Sequence, residues 1–310
     1  MEIFYYAIFP GFLFIMVVGF FASWVDRKVT ARIHYRIGPP FFQSFIDVFK
    51  LLGKEILIPR GTSKFLFILS PVIVFSSAIL AGANVLFALF GIRSNYLGSD
   101  IYSIMYLLTI PSLFIIMGAM ASRNPLASVG AAREAKLILA YELPFILCII
   151  AIIVKINDYG TGIKLNEIVT AQYSKPFIAS ASGVIAAIIL LFCIHAKMTI
   201  PPFDIPEAET EIMEGTFIEY SGFLLAMFQI TKMMLLFVLP AFLILLVWGD
   251  TVGNDISILW FALKYIGILV IMILIKNTNP RVKIDQAVRF FWFYLSIPAV
   301  ASIILASYGY

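Results

Sequence analysis

Long apolar stretches separated by short polar segments run through the whole chain. Runs of about 20 apolar residues match the hydrocarbon thickness of a bilayer, so each one predicts a transmembrane helix. Because a bilayer tolerates neither open sheets nor lipid-facing irregular backbone, we expect an all-α integral membrane protein that forms a single membrane domain over residues 1–310. The eight predicted spans lie at about 3–23, 65–90, 101–121, 136–154, 178–198, 218–247, 257–275 and 290–308.

A different pattern follows the first predicted span. Within residues 41–56, polar side chains recur at helical spacing at Gln43, Asp47, Lys50 and Lys54, and large apolar side chains occupy the opposite face. A helix of this kind lies in the plane of the membrane surface rather than crossing it. The expected fold is therefore a bundle of about eight transmembrane helices with one amphipathic surface helix.

Composition and charge support a membrane location. Hydrophobic residues make up 62% of the chain and charged residues 13%, whereas about 25% of the residues in a soluble domain are charged. The net charge of +4 requires no nucleic acid, because Lys and Arg concentrate in the polar segments on one side: 24–64, 122–135, 197–217 and 276–289. The positive-inside rule makes that side cytoplasmic and places both termini outside. The N-terminus lacks the basic region of a cleavable signal, so we expect the first span to be retained.

One short polar segment is unusually acidic. Residues 201–220 hold six of the eighteen acidic residues of the chain, namely Asp204, Glu207, Glu209, Glu211, Glu214 and Glu219. A capping-box pattern at Asp204 and Glu207 predicts a helix from about residue 205, with Glu207, Glu211 and Glu214 on one face. Carboxylates this close cannot all ionise cheaply at low dielectric, which suits proton storage and transfer. A solvated acidic loop is the simpler alternative.

Charged residues also lie inside the predicted spans. Glu142, Lys232 and Lys264 are surrounded by apolar residues, and a charge at the bilayer centre costs about 3 kcal/mol or more, so each is a functional candidate. Glu142 and Lys232, together with Glu214 and Glu219, predict a polar line across the bundle. Lys264 is left open. The alternatives are that Glu142 lies at the headgroup boundary and that each Lys snorkels or pairs with a neighbouring subunit.

The sequence has no pattern for a redox centre or a nucleotide site. Cys148 and Cys193 are isolated within apolar runs. His34 and His195 have no partner at metal-ligand spacing, and no glycine-rich nucleotide loop is present. We therefore expect no metal, cofactor or catalytic residue on this chain. A secondary transporter should show two related halves, which we do not find, and a purely structural anchor has no need of intramembrane charges.

Four motifs, in order along the chain, resemble those of the quinone-site membrane subunit of respiratory complex I and of related membrane-bound hydrogenases. The acidic string PFDIPEAETEI, which begins at Pro202, is similar to the signature loop of that family. Residues 26–39 resemble its E-R-K-x-x-A-R-x-x-x-R-x-G-P motif, with Asp26 at the usual Glu. The Tyr141-Glu142 helix and the P-R-x-x-x-D-Q string that begins at Pro280 complete the set.

The resemblance implies roles for two groups of residues. One group would relay protons and couple them to redox chemistry: Glu142, Asp204, Glu207, Glu209, Glu211, Glu214, Glu219 and Lys232. The other group would face the peripheral redox arm: Arg27, Lys28, Arg32, Arg36, Arg133, Glu134, Arg281 and Asp285. The implied partners are peripheral iron–sulfur and hydrogenase-like subunits and antiporter-like membrane subunits in the cell membrane. Iron–sulfur clusters, and a nickel–iron site in a hydrogenase, would lie on those other chains.

Departures from the quinone-reducing members favour another branch of the family. The segment 38–43 is shorter than in those members, Ile200 stands where they tend to carry Arg, and Lys232 stands where they often carry Glu. The string GAARE at residues 130–134 is similar to the G-A-S-R-E of energy-converting hydrogenases. The expectation is a ferredoxin-linked, ion-translocating complex of the hydrogenase type. A sulfur-reducing relative and a quinone-reducing complex I are the alternatives, and protons and sodium ions are equally open.

Overall fold

The structure is a computed structural model that describes residues 6, 8–92, 99–157, 164–172, 175–249 and 255–309. Over these residues the chain is helical, with a single antiparallel bridge between Asp100 and Lys164 outside the helices. The predicted all-α membrane fold is confirmed.

The helices follow one another in a simple order. They are α1 (Phe12–Ile33), α2 (Gln43–Leu52), α3 (Lys64–Leu89), α4 (Ile101–Ala121), α5 (Pro125–Asn157), α6 (Leu165–Ala171), α7 (Ala181–Lys197), α8 (Glu209–Ile212), α9 (Gly222–Trp248), α10 (Asp255–Thr278), α11 (Ile284–Arg289) and α12 (Ser296–Ser307). Three short 3-10 turns lie at Phe177–Ala179, Ile205–Glu207 and Gly215–Phe217. A π-helical turn, Phe290–Leu295, joins α11 to α12 in one continuous helix.

Six helices in the described part of the chain are long and apolar enough to cross a membrane: α3, α4, α5, α9, α10 and the continuous α11–α12. The helix α7 is apolar but has 17 residues, a length of about 25 Å at 1.5 Å per residue. It is therefore slightly shorter than a hydrocarbon core of about 30 Å.

The first helix differs most from its prediction. The predicted span ends near residue 23, but α1 continues to Ile33 and carries Asp26 to Arg32 as helical residues. Its beginning, Phe12, also lies well inside the predicted span, whose residues 3–5 and 7 fall outside the described residues. The apolar pattern marks where a helix enters hydrocarbon, but it does not show how far the helix continues beyond the membrane.

Helix α9 lies at the centre of the bundle. Within its most apolar window 83% of the residues are buried, and it packs against α1, α2, α3, α7 and α10. Small residues allow these helices to approach closely. A Cβ on Gly19 of α1 would overlap the carbonyl group of Met233 in α9, and a Cβ on Gly82 of α3 would crowd Val238. The close contacts fix the position of Lys232, the charged residue of α9, within the bundle.

The basic segments meet at one end of the bundle. Lys276, near the end of α10, forms an ion pair of 2.8 Å with Asp26 in α1. Arg27 forms another of 2.8 Å with Asp47, and this pair attaches the surface helix α2 to α1. Partial burial opposes ionisation of Asp47, but hydrogen bonds from Arg27 and Gln43 hold its pKa below the usual value. Which side of the membrane this end faces stays a prediction.

Candidate functional site

The acidic segment, residues 201–220, folds as a series of tight turns around the four-residue helix α8. Met213, Glu214 and Gly215 have positive φ angles of 49°, 66° and 45°, a conformation that costs a non-glycine residue about 1 kcal/mol or more. The predicted helical face of Glu207, Glu211 and Glu214 is therefore wrong. The chain leaves the helical conformation at Ala208, whose ψ angle is 100°, and again at Met213. The turns then pack closely, since a Cβ on Gly215 would overlap the carbonyl of Pro206.

Two carboxylates of this segment bind arginines from distant parts of the chain. Arg281 forms an ion pair of 2.8 Å with Asp204, whose side chain is 9% exposed. Arg133 of α5 forms one of 2.6 Å with Glu211, whose side chain is 58% exposed. Burial raises the pKa of Asp204 above its usual value, although Arg281 beside it acts in the opposite direction. The Arg133 pair is exposed and the Arg281 pair holds a buried carboxylate, and together they fasten the acidic segment to α5 and to the linker before α11.

Three further carboxylates of the acidic segment lie at or near its surface. Glu209 and Glu214 are exposed. Glu219 accepts a hydrogen bond of 2.5 Å from the side-chain amide of Asn124, the residue before α5. Only part of the acidic segment is therefore placed for chemistry inside the bundle.

Glu207 is the acidic residue that turns inward. Its Oε2 forms an ion pair with the ammonium group of Lys232 in α9, and its Oε1 accepts a hydrogen bond of 2.7 Å from Thr199. The Glu207 side chain is 17% exposed. The ammonium of Lys232 also lies 4.6 Å from the centroid of the Phe217 ring. The acid that faces Lys232 is thus Glu207, rather than Glu214 or Glu219 as the predicted polar line requires.

A second ion pair lies deeper in the bundle. Lys197, the last residue of α7, donates to Glu142 Oε2 of α5 at 3.1 Å. The hydroxyl of Thr109 in α4 donates to the other oxygen, Oε1, at 2.8 Å. The Lys197 side chain is 2% exposed, and its ammonium lies 4.5 Å from the centroid of the Phe145 ring. Two other helices, α4 and α7, thus supply the partners of the Glu142 carboxylate on α5.

A cavity of about 30 Å³ lies between the two ion pairs, which is room for a water molecule. Its lining includes Glu207 and Lys232 from the first pair and Lys197 from the second. Glu134 of α5 also lines it, is 2% exposed, and has no hydrogen-bond partner for Oε2 among the described residues. The expectation that Glu134 faces a partner subunit is therefore not met, because its carboxyl group lies inside. Glu207, Glu134 and Glu142 thus form a series of carboxyl groups from the acidic segment into the bundle. We use the name polar line for this series from here on.

Sequence reasoning named Glu142, Glu207 and Lys232 as candidates but predicted none of these contacts. Lys197 looked like a basic residue of the polar segment after a span, and Thr109 and Thr199 carried no signal at all. The available signal for Lys197 was its place at the end of an apolar helix, since a buried Glu142 needs a cation. Lys264 of α10 lies 5.8 Å from the centroid of the Trp248 ring and does not line the cavity.

The remaining predicted residues lie at the same end of the bundle. Lys28 is half-buried, and the other members of the predicted partner-facing group outside the ion pairs are exposed: Arg32, Arg36 and Asp285. The imidazole Nε2 of His195 lies 2.6 Å from the carbonyl oxygen of Pro201. Over the residues that the structure describes, no group of three His, Cys, Asp or Glu is placed to hold a metal ion.

Comparison with known proteins shows extensive similarity. A family described as NADH dehydrogenase matches residues 6–307. One of the NADH-quinone oxidoreductase subunits of Geobacillus thermodenitrificans is 30% identical over 309 residues, which cover 95% of this chain and 91% of the relative. Its counterpart in Bacillus cytotoxicus is 32% identical over 313 residues, with the same coverage of 95% and 91%. A chain of an archaeal respiratory membrane complex, the membrane-bound sulfane sulfur reductase, matches with a TM-score of 0.85 and 33% identity, covering 95% of this chain and 96% of that one.

Proposed function

The chain belongs to the NADH dehydrogenase family, which includes these NADH-quinone oxidoreductase subunits, and we propose that it couples electron transfer to ion movement in a membrane respiratory complex. The resemblance predicted from the four motifs is thereby confirmed. In this role the chain is a multi-pass subunit that binds peripheral iron–sulfur subunits at its basic end and antiporter-like subunits within the membrane. We propose that the redox centres reside on the other subunits, as the resemblance to the family implies.

Within the family, we place the chain in the ferredoxin-linked branch rather than among the quinone reductases. The short segment 38–43, Ile200 and Lys232 support this placement. Similarity to a chain of the sulfane sulfur reductase supports a sulfur-reducing complex ahead of the hydrogenase. In a hydrogenase the partner subunits would carry a nickel–iron site. Metal analysis of the purified complex therefore separates the two candidates, and fast, inhibitor-sensitive reduction of a soluble quinone analogue would contradict both.

The observation that carries the coupling role is the series of carboxyl groups next to two cations, the half-buried Lys232 and the buried Lys197. Glu207 belongs to the acidic segment and pairs with Lys232, Glu134 lines the cavity, and Glu142 of α5 pairs with Lys197. In a low-dielectric setting each ionised carboxylate depends on the Lys beside it. When Glu207 takes up a proton, its attraction to Lys232 is lost and the freed ammonium stabilises negative charge on the next carboxyl.

This exchange gives redox turnover a way to move charge into the membrane. A partner subunit that displaces the acidic segment shifts Glu207 relative to Lys232, because Glu207 belongs to that segment and Lys232 to α9. The pairs at Arg133 and Arg281 are the contacts that such a displacement would break first. The charge of Lys232 then acts across the cavity on Glu134. In the resulting order of events, the surface movement comes first and the proton shift inside the bundle follows.

The test is ion uptake per electron transferred in membrane vesicles that contain the whole complex. Glu134→Gln keeps the shape of the side chain but removes its proton exchange, so uptake should fall severalfold while the complex remains assembled. Glu55→Gln is the matched control, because Glu55 is an exposed acid at the same end of the bundle and outside the polar line. Normal uptake in the Glu134 variant would remove the polar line from the coupling path.

A further inference from the structure

A second cavity, of about 460 Å³, lies between α7, α10 and α11. Aromatic rings form much of its wall. The centroids of Phe203 and Phe290 are 6.0 Å apart with an interplanar angle of 29°, and Phe192 meets Phe290 edge to face at 5.5 Å. Tyr294, at the rim, is 72% exposed. We call this cavity the aromatic groove; it shares no lining residue with the cavity on the polar line.

The wall of the aromatic groove contains irregular backbone, yet the loop residues that line it present no free N–H group. Pro202 and Pro280 have no N–H to satisfy. The N–H groups of Phe203, Val282 and Asn279 donate to backbone carbonyls at 2.9, 3.1 and 3.3 Å. Irregular backbone can face hydrocarbon only when its polar groups are satisfied within the protein. The backbone here meets that requirement.

The two polar side chains on the wall are engaged as well. The amide nitrogen of Asn279 donates to the carbonyl of Ile275 at 2.9 Å, and the amide oxygen of Gln286 accepts from the N–H of Lys283 at 3.2 Å. The groove therefore offers mainly ring and aliphatic carbon to an occupant. A polar ligand would lose its hydration there without new hydrogen bonds, whereas a hydrocarbon chain would lose nothing.

Cations lie beside one end of the aromatic groove. Gln286, Arg289 and Phe290 are spaced i, i+3 and i+4 along one helix, so Arg289 shares the face that lines the groove. Arg289 and Lys283 are both exposed. An apolar groove with exposed cations at its end complements a molecule that has a hydrocarbon chain and an anionic head.

We propose that the aromatic groove binds one acyl chain of an anionic phospholipid, with the phosphate between Lys283 and Arg289. The groove has the volume of a small-ligand site and is confined to one end of the bundle. A transmembrane helix of a partner subunit would instead need a face along the length of the bundle. The short α7 creates the space, because the chain turns back after Lys197 and leaves Pro202 and Phe203 at the wall.

The test uses the intact complex in lipid nanodiscs of phosphatidylcholine. Phosphatidylglycerol or phosphatidylcholine with a photoactivatable group on one acyl chain is added at a low, equal fraction, and labelled peptides are identified by mass spectrometry. Phosphatidylglycerol should label the peptides that contain Phe203 and Tyr294 more strongly than phosphatidylcholine does. The difference should be roughly fivefold for each cation that contacts the phosphate.

Two double variants sharpen this test. Lys283→Gln with Arg289→Gln should reduce labelling by phosphatidylglycerol to the phosphatidylcholine level. Lys50→Gln with Lys54→Gln is the matched control, because both residues are exposed Lys in or just after α2, away from the groove, and labelling should not change. Equal labelling by the two lipids would overturn the proposal. So would labelling restricted to other lipid-facing helices, or cross-links from the groove to a partner subunit.

Discussion

Lys197 forms an ion pair with Glu142 inside the bundle, and Lys197→Met removes the cation. Met has an apolar side chain of similar length, so the packing beside Phe145 should survive the change. Glu142 then keeps the hydrogen bond of 2.8 Å from Thr109 but loses the ammonium at 3.1 Å. The variant therefore leaves a carboxylate in the bundle with one neutral donor.

The size of the effect follows from burial. Removing one partner of a buried ion pair costs about 3–5 kcal/mol. The Glu142 side chain is 20% exposed, so we expect the lower end of that range, about 3 kcal/mol. Adding Glu142→Gln to Lys197→Met removes the stranded charge and should restore most of the lost stability. The two changes are then strongly non-additive, as expected for residues in direct contact.

Thermal unfolding of the purified complex in detergent ranks the single and double variants, and vesicle assays report ion uptake per electron. Uptake should fall in all of them, including the double variant that regains stability, since each lacks an exchangeable group of the polar line. Lys136→Met is the control, because Lys136 is an exposed residue of the same helix as Glu142. Additive losses, or a Lys197→Met variant within about 0.5 kcal/mol of the parent, would refute a structural ion pair at this site.

Three further predictions concern the acidic segment. Glu211→Gln should change stability by less than about 1 kcal/mol in the same unfolding assay, because its pair is exposed. Arg281→Gln should destabilise the complex at neutral pH and less so as the pH falls, because burial already raises the pKa of Asp204 and protonation removes its charge; Asp204→Asn should abolish this pH dependence. Gly215→Ala should cost about 1 kcal/mol or more, whereas Gly267→Ala, with open space around it, should be harmless.

The transmembrane helices could be read from the sequence because the bilayer sets their length and their polarity. The span predicted at about 65–90 is the helix Lys64–Leu89, and the one at 101–121 is Ile101–Ala121. The hydrophobic signal of each span is local, because hydrocarbon favours apolar side chains whichever helix they pack against. The same reasoning identified Glu142 and Lys232 as exceptions that require an explanation.

The residues that pair with Glu142 and Lys232 could not be predicted from the sequence in the same way. Glu142 meets Lys197, 55 positions away, and Glu207 meets Lys232, 25 positions away. The sequence pattern instead placed Glu207 on a helix with Glu211, because a capping box is a local signal. In the structure the backbone leaves the helical conformation at Ala208, whose ψ angle is 100°, so Glu207 and Glu211 lie in separate turns.

Hydrophobicity along the chain thus determined which segments lie in the membrane and which charges are out of place there. Only the packing of α4, α5, α7 and α9 decided which cation pairs with which carboxylate. The same packing placed Glu134 inside the bundle rather than at the surface. The physical reason is that the free-energy cost of burying a charge depends on the residue and on the hydrocarbon around it, and both can be read from the local sequence. The ion pair that offsets this cost requires two residues from distant parts of the chain to lie close together, and they do so only once the helices have packed.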